Sequence, residues 1–174
     1  RSMFPANSSY NDNYANIKKL EGEILVFAGQ MQTQKLNKTQ SDRIMRLLSA
    51  VRHGVYSAKS LKDIRENLAA FRHADTDAVI ALYAELTRQQ KNFYTRAHTL
   101  LDHASDRVFV EEEGGRMLKD LESSYLQVQN GLFQQGLRDG VTETELSTGL
   151  NINRELYGAL KNLAEGIIDF SSTP

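Results

Sequence analysis

Apolar residues recur along this chain at alternating spacings of three and four, the period of a helix with one buried stripe. The clearest run is Ser49 to Phe71, where Val51, Val55, Ala58, Leu61, Leu68 and Phe71 form a seam. Arg52, Lys59, Lys62, Asp63 and Asn67 lie beside that seam rather than all opposite it. Ile44, Leu47 and Leu48 carry the pattern back toward a cap at Thr39 or Ser41, so this helix runs about thirty residues with no proline to stop it. At 1.5 Å per residue it spans about 45 Å, which predicts an elongated bundle.

The other segments repeat the theme. Ile17, Leu20, Ile24, Phe27 and Met31 predict a first helix over about 12–33, capped by Asn11 or Asp12. Gly22 and Gly29 each cost it roughly 1 kcal/mol if exposed, which predicts a neighbouring helix close to both. After a tight connection at Arg72–Ala74, with Asp75 and Asp77 as cap and first-turn acids, a third helix runs to about Ala104. Its seam is Val79, Leu82, Leu86, Phe93, Ala97 and Leu100, with Gln90 at a position where an apolar residue is expected. The fourth carries Met117, Leu118, Leu121, Tyr125, Val128 and Leu132 and ends at Asp139-Gly140. Its start is open between Arg107, with a kink at Gly114-Gly115, and a clean start after those glycines. Thr142 and Glu145 form an S/T-x-x-E capping box for a fifth helix bearing Leu146, Leu150, Leu156, Leu160, Leu163, Ile167 and Phe170. Both prolines, Pro5 and Pro174, fall outside these segments. The pattern specifies an all-α, elongated antiparallel bundle of about five helices, a single domain over 12–170 with a flexible lead-in at 1–11 and a tail at 171–174.

Composition narrows the function. A length of 174 residues suits one domain, and a net charge of -1 with interspersed signs gives no basic footprint for nucleic acid. With no cysteine, thiolate metal sites and a cysteine nucleophile are excluded. No apolar run approaches the ~20 residues that span a bilayer, so no direct membrane insertion is expected of this chain. Walker A, GxGxxG and GxSxG motifs are all missing, and none of the four histidines has a glutamate three residues before it, as di-iron bundles require. His98, Asp102 and Asp106 share one helix side, and Glu111, Glu112 and Glu113 form an acid run. A solvated helix end and a helix start favoured by the macrodipole account for them better than cation sites do. No catalytic residue, metal or cofactor is assigned. The remaining candidates are contact residues: Arg52, Lys59, Lys62, Asp63 and Asn67 in the second helix and Asn153, Arg154 and Glu155 in the last. With Asn151, these are expected to form an interhelical polar network, since buried polar groups need partners.

Two segments, VRHGVYSAKSLKDIRENLAAF (51–71) and LNINRELYGALKNLAEGIIDF (150–170), together with LEGEILVFAGQM (20–31), resemble the PhoU-like helical domain found at the cytoplasmic C-terminus of bacterial sodium/phosphate cotransporter-like proteins. The resemblance implies a non-enzymatic regulatory and interaction domain on the cytoplasmic side of the bacterial inner membrane. Its partner would be the transmembrane portion of the same transporter protein, lying before Arg1, and a homodimer is allowed. A free-standing PhoU-type phosphate-signalling adaptor is the alternative, and a metal-binding helical bundle a remote one. PhoU proteins carry acidic motifs, often E-R-I-G-D, that hold metal clusters. Aligned on Arg52, that motif's acids fall on Val51 and Val55; aligned on Arg154, they fall on Asn153 and Tyr157. Valine offers no oxygen to a cation, so the family's metal site is not carried over.

Overall fold

The computed structural model describes residues 9–135 and 140–171, which form five helices: α1 (Tyr10–Gln32), α2 (Lys38–Arg72), α3 (Asp77–Asp102), α4 (Arg107–Gln135) and α5 (Glu143–Ser171). No strand is present among the described residues. The all-α bundle expected from periodicity is what forms. The expected start of the fifth helix agrees with the structure, but the helix extends to Ser171, the first residue of the expected tail, and several other boundaries move. Ser9, not Asn11 or Asp12, caps α1, and Asp12 closes a capping box from the third helical position, so Tyr10 and Asn11 belong to the helix rather than to the lead-in. Asn37 with Gln40 does the same for α2, four residues ahead of Ser41. Asp77 lies in the first turn of α3, whose cap, Thr76, makes no side-chain capping bond. The expected end of the fourth helix at Asp139 lies outside the described residues, and Gly140 follows in the left-handed region at φ 71°.

The start of the fourth helix is settled by packing. α4 begins at Arg107 and runs unbroken through Gly114-Gly115. Asp106 caps it, its Oδ1 accepting from the Phe109 amide at 3.0 Å, so this acid serves a helix start rather than a cation. A Cβ on Gly114 would sit 2.8 Å from Ile168, which shows why glycine stands there: α4 and α5 touch too closely for a side chain.

Helices α2 to α5 form an up-and-down bundle in which α5 touches α2, α3 and α4. α2 and α5 run antiparallel over most of their length, with Ser49 opposite Asp169, His53 opposite Asn162 and Ser60 opposite Glu155. α1 contacts α2 alone among the described helices. The largest fully buried side chains include Ile64, Leu86, Leu100, Met117, Ile152 and Leu160, one or two from each of α2 to α5. Ile64 is missing from the seam read off the sequence, yet it is the most buried residue of α2, because it belongs to the apolar cluster that α2 shares with α3, α4 and α5. Two predicted seam residues are exposed: Phe27 gives its place to Ala28, one position and about 100° around the helix, and Phe170 lies on the rim of a groove.

α2 and α5 come close at Gly166, where an added Cβ would stand 3.1 Å from the His53 Cβ and 3.2 Å from the Ala50 carbonyl oxygen. Gly158, two turns earlier in α5, has open space at the same position. We expect Gly158→Ala to raise stability by roughly 0.5–1 kcal/mol through helix propensity. Gly166→Leu should lower it by about 1–3 kcal/mol through overpacking. Denaturant unfolding of both variants checks the contrast.

Candidate functional site

The polar joint between α2 and α5 is built from residues that periodicity does not single out. His53 Nδ1 lies 2.9 Å from Asn162 Oδ1, and Asn162 Nδ2 donates to the Gly158 carbonyl at 2.8 Å. Because the amide is committed to that carbonyl, its oxygen must face the imidazole, and Nδ1 carries the proton that bridges the helices. Glu165 and Asp169 stand at 3.6 and 3.7 Å from the two ring nitrogens, and Asp169 also accepts from Ser49 at 2.7 Å. Two turns after His53, Ser60 donates to Glu155 at 3.1 Å. The joint therefore alternates short hydroxyls and one imidazole on α2 with amide and carboxylate groups on α5. Such side chains reach across a close helix pair without holding it apart.

The contact residues expected from the sequence go elsewhere. Lys59 pairs with Asp63 at 2.9 Å within α2, on the exposed face, and this bond raises the lysine pKa above its ordinary value. Lys62 lies over the Tyr14 ring at 4.8 Å and Arg65 over Tyr10 at 5.7 Å, so these cations hold the start of α1 against α2. Arg52 is exposed and Asn67 half-buried. In α5, Arg154 bonds Asn151 and Glu155 of its own helix. Asn153 is 3% exposed and turns away from α2, its Nδ2 donating to the Tyr125 carbonyl of α4 at 3.0 Å beside the stacked Tyr125–Tyr157 pair. The expected network linking Lys59, Lys62, Asp63 and Asn67 to Asn151, Asn153 and Arg154 is thus replaced. Of the predicted set only Glu155 joins α2 to α5. Residues beside a seam point to whichever helix lies on that flank, and the sequence does not say which helix that is. His53 and Asn162 carried one legible signal, since both sit within apolar segments as polar residues of bridging length.

A second charged joint ties α3 to α4. Arg96 donates to Glu113 through Nε and Nη2 at 3.0 and 2.7 Å and to Asp120 through Nη1 at 2.7 Å, while Arg116 adds a bond to Glu113 at 3.0 Å. The Arg96 bonds lead the causes that hold the Glu113 carboxyl below its ordinary value. The acid run at 111–113 thus includes an interhelical clip, and Glu111 pairs with Arg107 at 2.7 Å.

Beyond this clip α3 and α4 diverge and leave a cleft of about 830 Å³. Its apolar floor includes Val79, Leu82, Val128 and Leu132, and its rim carries Asp77, Glu85, Arg88, Gln127 and Glu145. Glu85, Arg88 and Glu145 are engaged: Glu85 takes a two-pronged bond from Arg88, and Glu145 closes the Thr142 capping box while accepting from Thr76 at 3.1 Å. Both carboxyls are held below their ordinary values, Glu85 chiefly by Arg88 and Glu145 chiefly by the Thr142 amide. At the opposite end Ile24, Leu47, Val51, Leu101, Ile167 and Phe170 line an apolar groove between α1, α2, α3 and α5. Among the described residues no three His, Asp or Glu side chains are grouped to hold a metal ion, and no helix is long and apolar enough to cross a membrane.

We expect Asn153→Ala to cost about 1–3 kcal/mol, since it empties a buried, bonded position. Asp63→Ala and Arg154→Ala should each stay within about 0.5 kcal/mol, because their ion pairs are exposed. Urea titration separates the two classes. The Glu113 contribution to stability is complete above the ordinary glutamate value of 4.5 and fades as pH falls through the depressed folded value. Glu113→Gln should therefore flatten the loss of melting temperature on acidification below that pH. Comparison with protein-family models, with curated proteins and with solved structures returns no match for this chain.

Proposed function

We propose that this chain is a PhoU-like, non-enzymatic regulatory and interaction domain of a sodium/phosphate cotransporter-like membrane protein, working at the cytoplasmic face of the bacterial inner membrane. The observation that carries this reading is the pairing of the two segments with the strongest resemblance. Residues 51–71 and 150–170 lie face to face as the antiparallel α2–α5 pair and share its polar joint. A domain that transmits a state needs contacts able to exist in two arrangements, each favoured by one state of its partner. The α2–α5 joint and the Arg96 clip, each made of a few hydrogen bonds across otherwise apolar contacts, are of that kind. The divergence of α3 from α4 beyond the clip gives the bundle room to close.

Purified full-length transporter in proteoliposomes provides the test. Sodium-driven phosphate uptake is measured for the intact protein, for one lacking this domain, and for an Arg96→Met variant. Removal of the domain should change the rate of uptake or its dependence on phosphate by severalfold, and Arg96→Met should shift it in the same direction while the bundle stays folded. Uptake curves that superimpose for all three would exclude a regulatory role in transport.

A further inference from the structure

Of the four histidines, His73, His98 and His103 are exposed, whereas His53 is enclosed in the α2–α5 joint with its side chain 26% exposed. Its two ring nitrogens face different groups. Nδ1 carries the proton donated to Asn162 Oδ1, with the Glu165 carboxylate 3.6 Å away on the same side. Nε2 of the neutral ring is left with a lone pair, and the group it faces at 3.7 Å is the Asp169 carboxylate, an acceptor with no proton to offer. The Ser49 hydroxyl donates to that same carboxylate oxygen at 2.7 Å and holds it in place. On this edge of the neutral ring, two acceptors therefore oppose each other. A second proton on the imidazole turns them into an N–H donor facing a carboxylate, and sets a positive charge between two carboxylates of the opposite helix.

We propose that His53 is a proton-operated latch of the α2–α5 contact: with the ring neutral it makes one hydrogen bond to α5, and with the ring charged it bonds Asp169 as well and holds the two helices more tightly. The charged groups around it fit that role. Glu165 and Asp169 come from α5, where Lys161 stands 3.9 Å from Glu165 on the same helix. On α2 itself the neighbouring Arg52 and Tyr56 are exposed, and among the described residues no charged group of α1 or α3 pairs with the ring. Both charges that meet the imidazole are thus negative. Free carboxylic acids titrate near pH 4, well below the imidazole range of about pH 6.5, so ring and carboxylates do not change charge together. The added bond exists only with the ring charged, so its contribution is present on the acid side of that range and is lost as pH rises through it. The latch is a property of this chain alone and stands apart from the proposed role in transport.

Melting temperature followed from about pH 7.5 to about pH 5.5 tests this in the chain, in His53→Gln, in Asp169→Asn and in His98→Gln as an exposed control. Over that interval the parent and His98→Gln should gain about 2–4 °C relative to His53→Gln and Asp169→Asn. Glutamine keeps an amide within reach of Asn162 and asparagine keeps an acceptor for Ser49, so the joint persists in both variants without the titrating pair. Proton–nitrogen correlation NMR of the parent reads the same point with no substitution. At the alkaline end His53 should carry its proton on Nδ1 and none on Nε2, while His73 and His98 show the mixture of a free ring; at the acid end both His53 nitrogens should be protonated. A neutral His53 protonated on Nε2, parallel pH profiles for the parent and His53→Gln, or a gain that survives in Asp169→Asn would each overturn the proposal.

Discussion

The close antiparallel contact of α2 with α5 is the constraint on which the remainder of the bundle rests. At Gly166 the helices are too close for a Cβ to fit beside Ala50 and His53 without a shift, and buried Ala159 and Ala164 continue the same helix. Once the helices are that near, only short or mid-length polar groups fit between them. This explains why the joint is made by Ser49, His53, Ser60 and Asn162 and not by the lysines and arginines that flank it. The longer cations turn outward, toward α1 or along their own helix, where their stems cover apolar surface and their heads keep water.

α5 is then central by position. It touches three other helices and has to present small, apolar and polar residues at different angles, which is why Gly149, Ile152, Asn153, Leu156 and Leu160 follow one another in so short a span. Asn153 serves α4 while Ile152 beside it is buried in the common core. α3 and α4 are held to each other by the Arg96–Glu113–Asp120 clip at one end and part at the other, so the bundle is tight on its α2–α5 side and open on its α3–α4 side. α1 lies outside this frame. It is anchored by Tyr10 and Tyr14 against Arg65 and Lys62 and by an apolar seam on α2, and it meets no other described helix. The close neighbour expected beside Gly22 and Gly29 is not found among the described residues, where a Cβ added to either would meet nothing within 4 Å.

By itself the sequence determined the number of helices, most of their seam positions, the Thr142–Glu145 capping box and the all-α class. These follow from local terms: the 3.6-residue period, side-chain caps and the placement of both prolines outside the segments. It also determined that Gly22 and Gly29 are anomalous in an otherwise regular helix. Only the tertiary structure decided which flank of each seam meets which neighbour. That choice sent Asn153 to Tyr125, Lys62 to Tyr14 and Glu155 to Ser60, and left Lys59, Asp63 and Arg154 on the exposed face. It also decided that α4 runs through Gly114-Gly115, where the glycine is needed by Ile168 of another helix and not by the backbone of its own. The physical reason is the same in each case. A periodic seam fixes the direction in which a helix must be covered, whereas the identity of the covering helix depends on interhelical distance and on chain segments remote in sequence, to which a local pattern is blind.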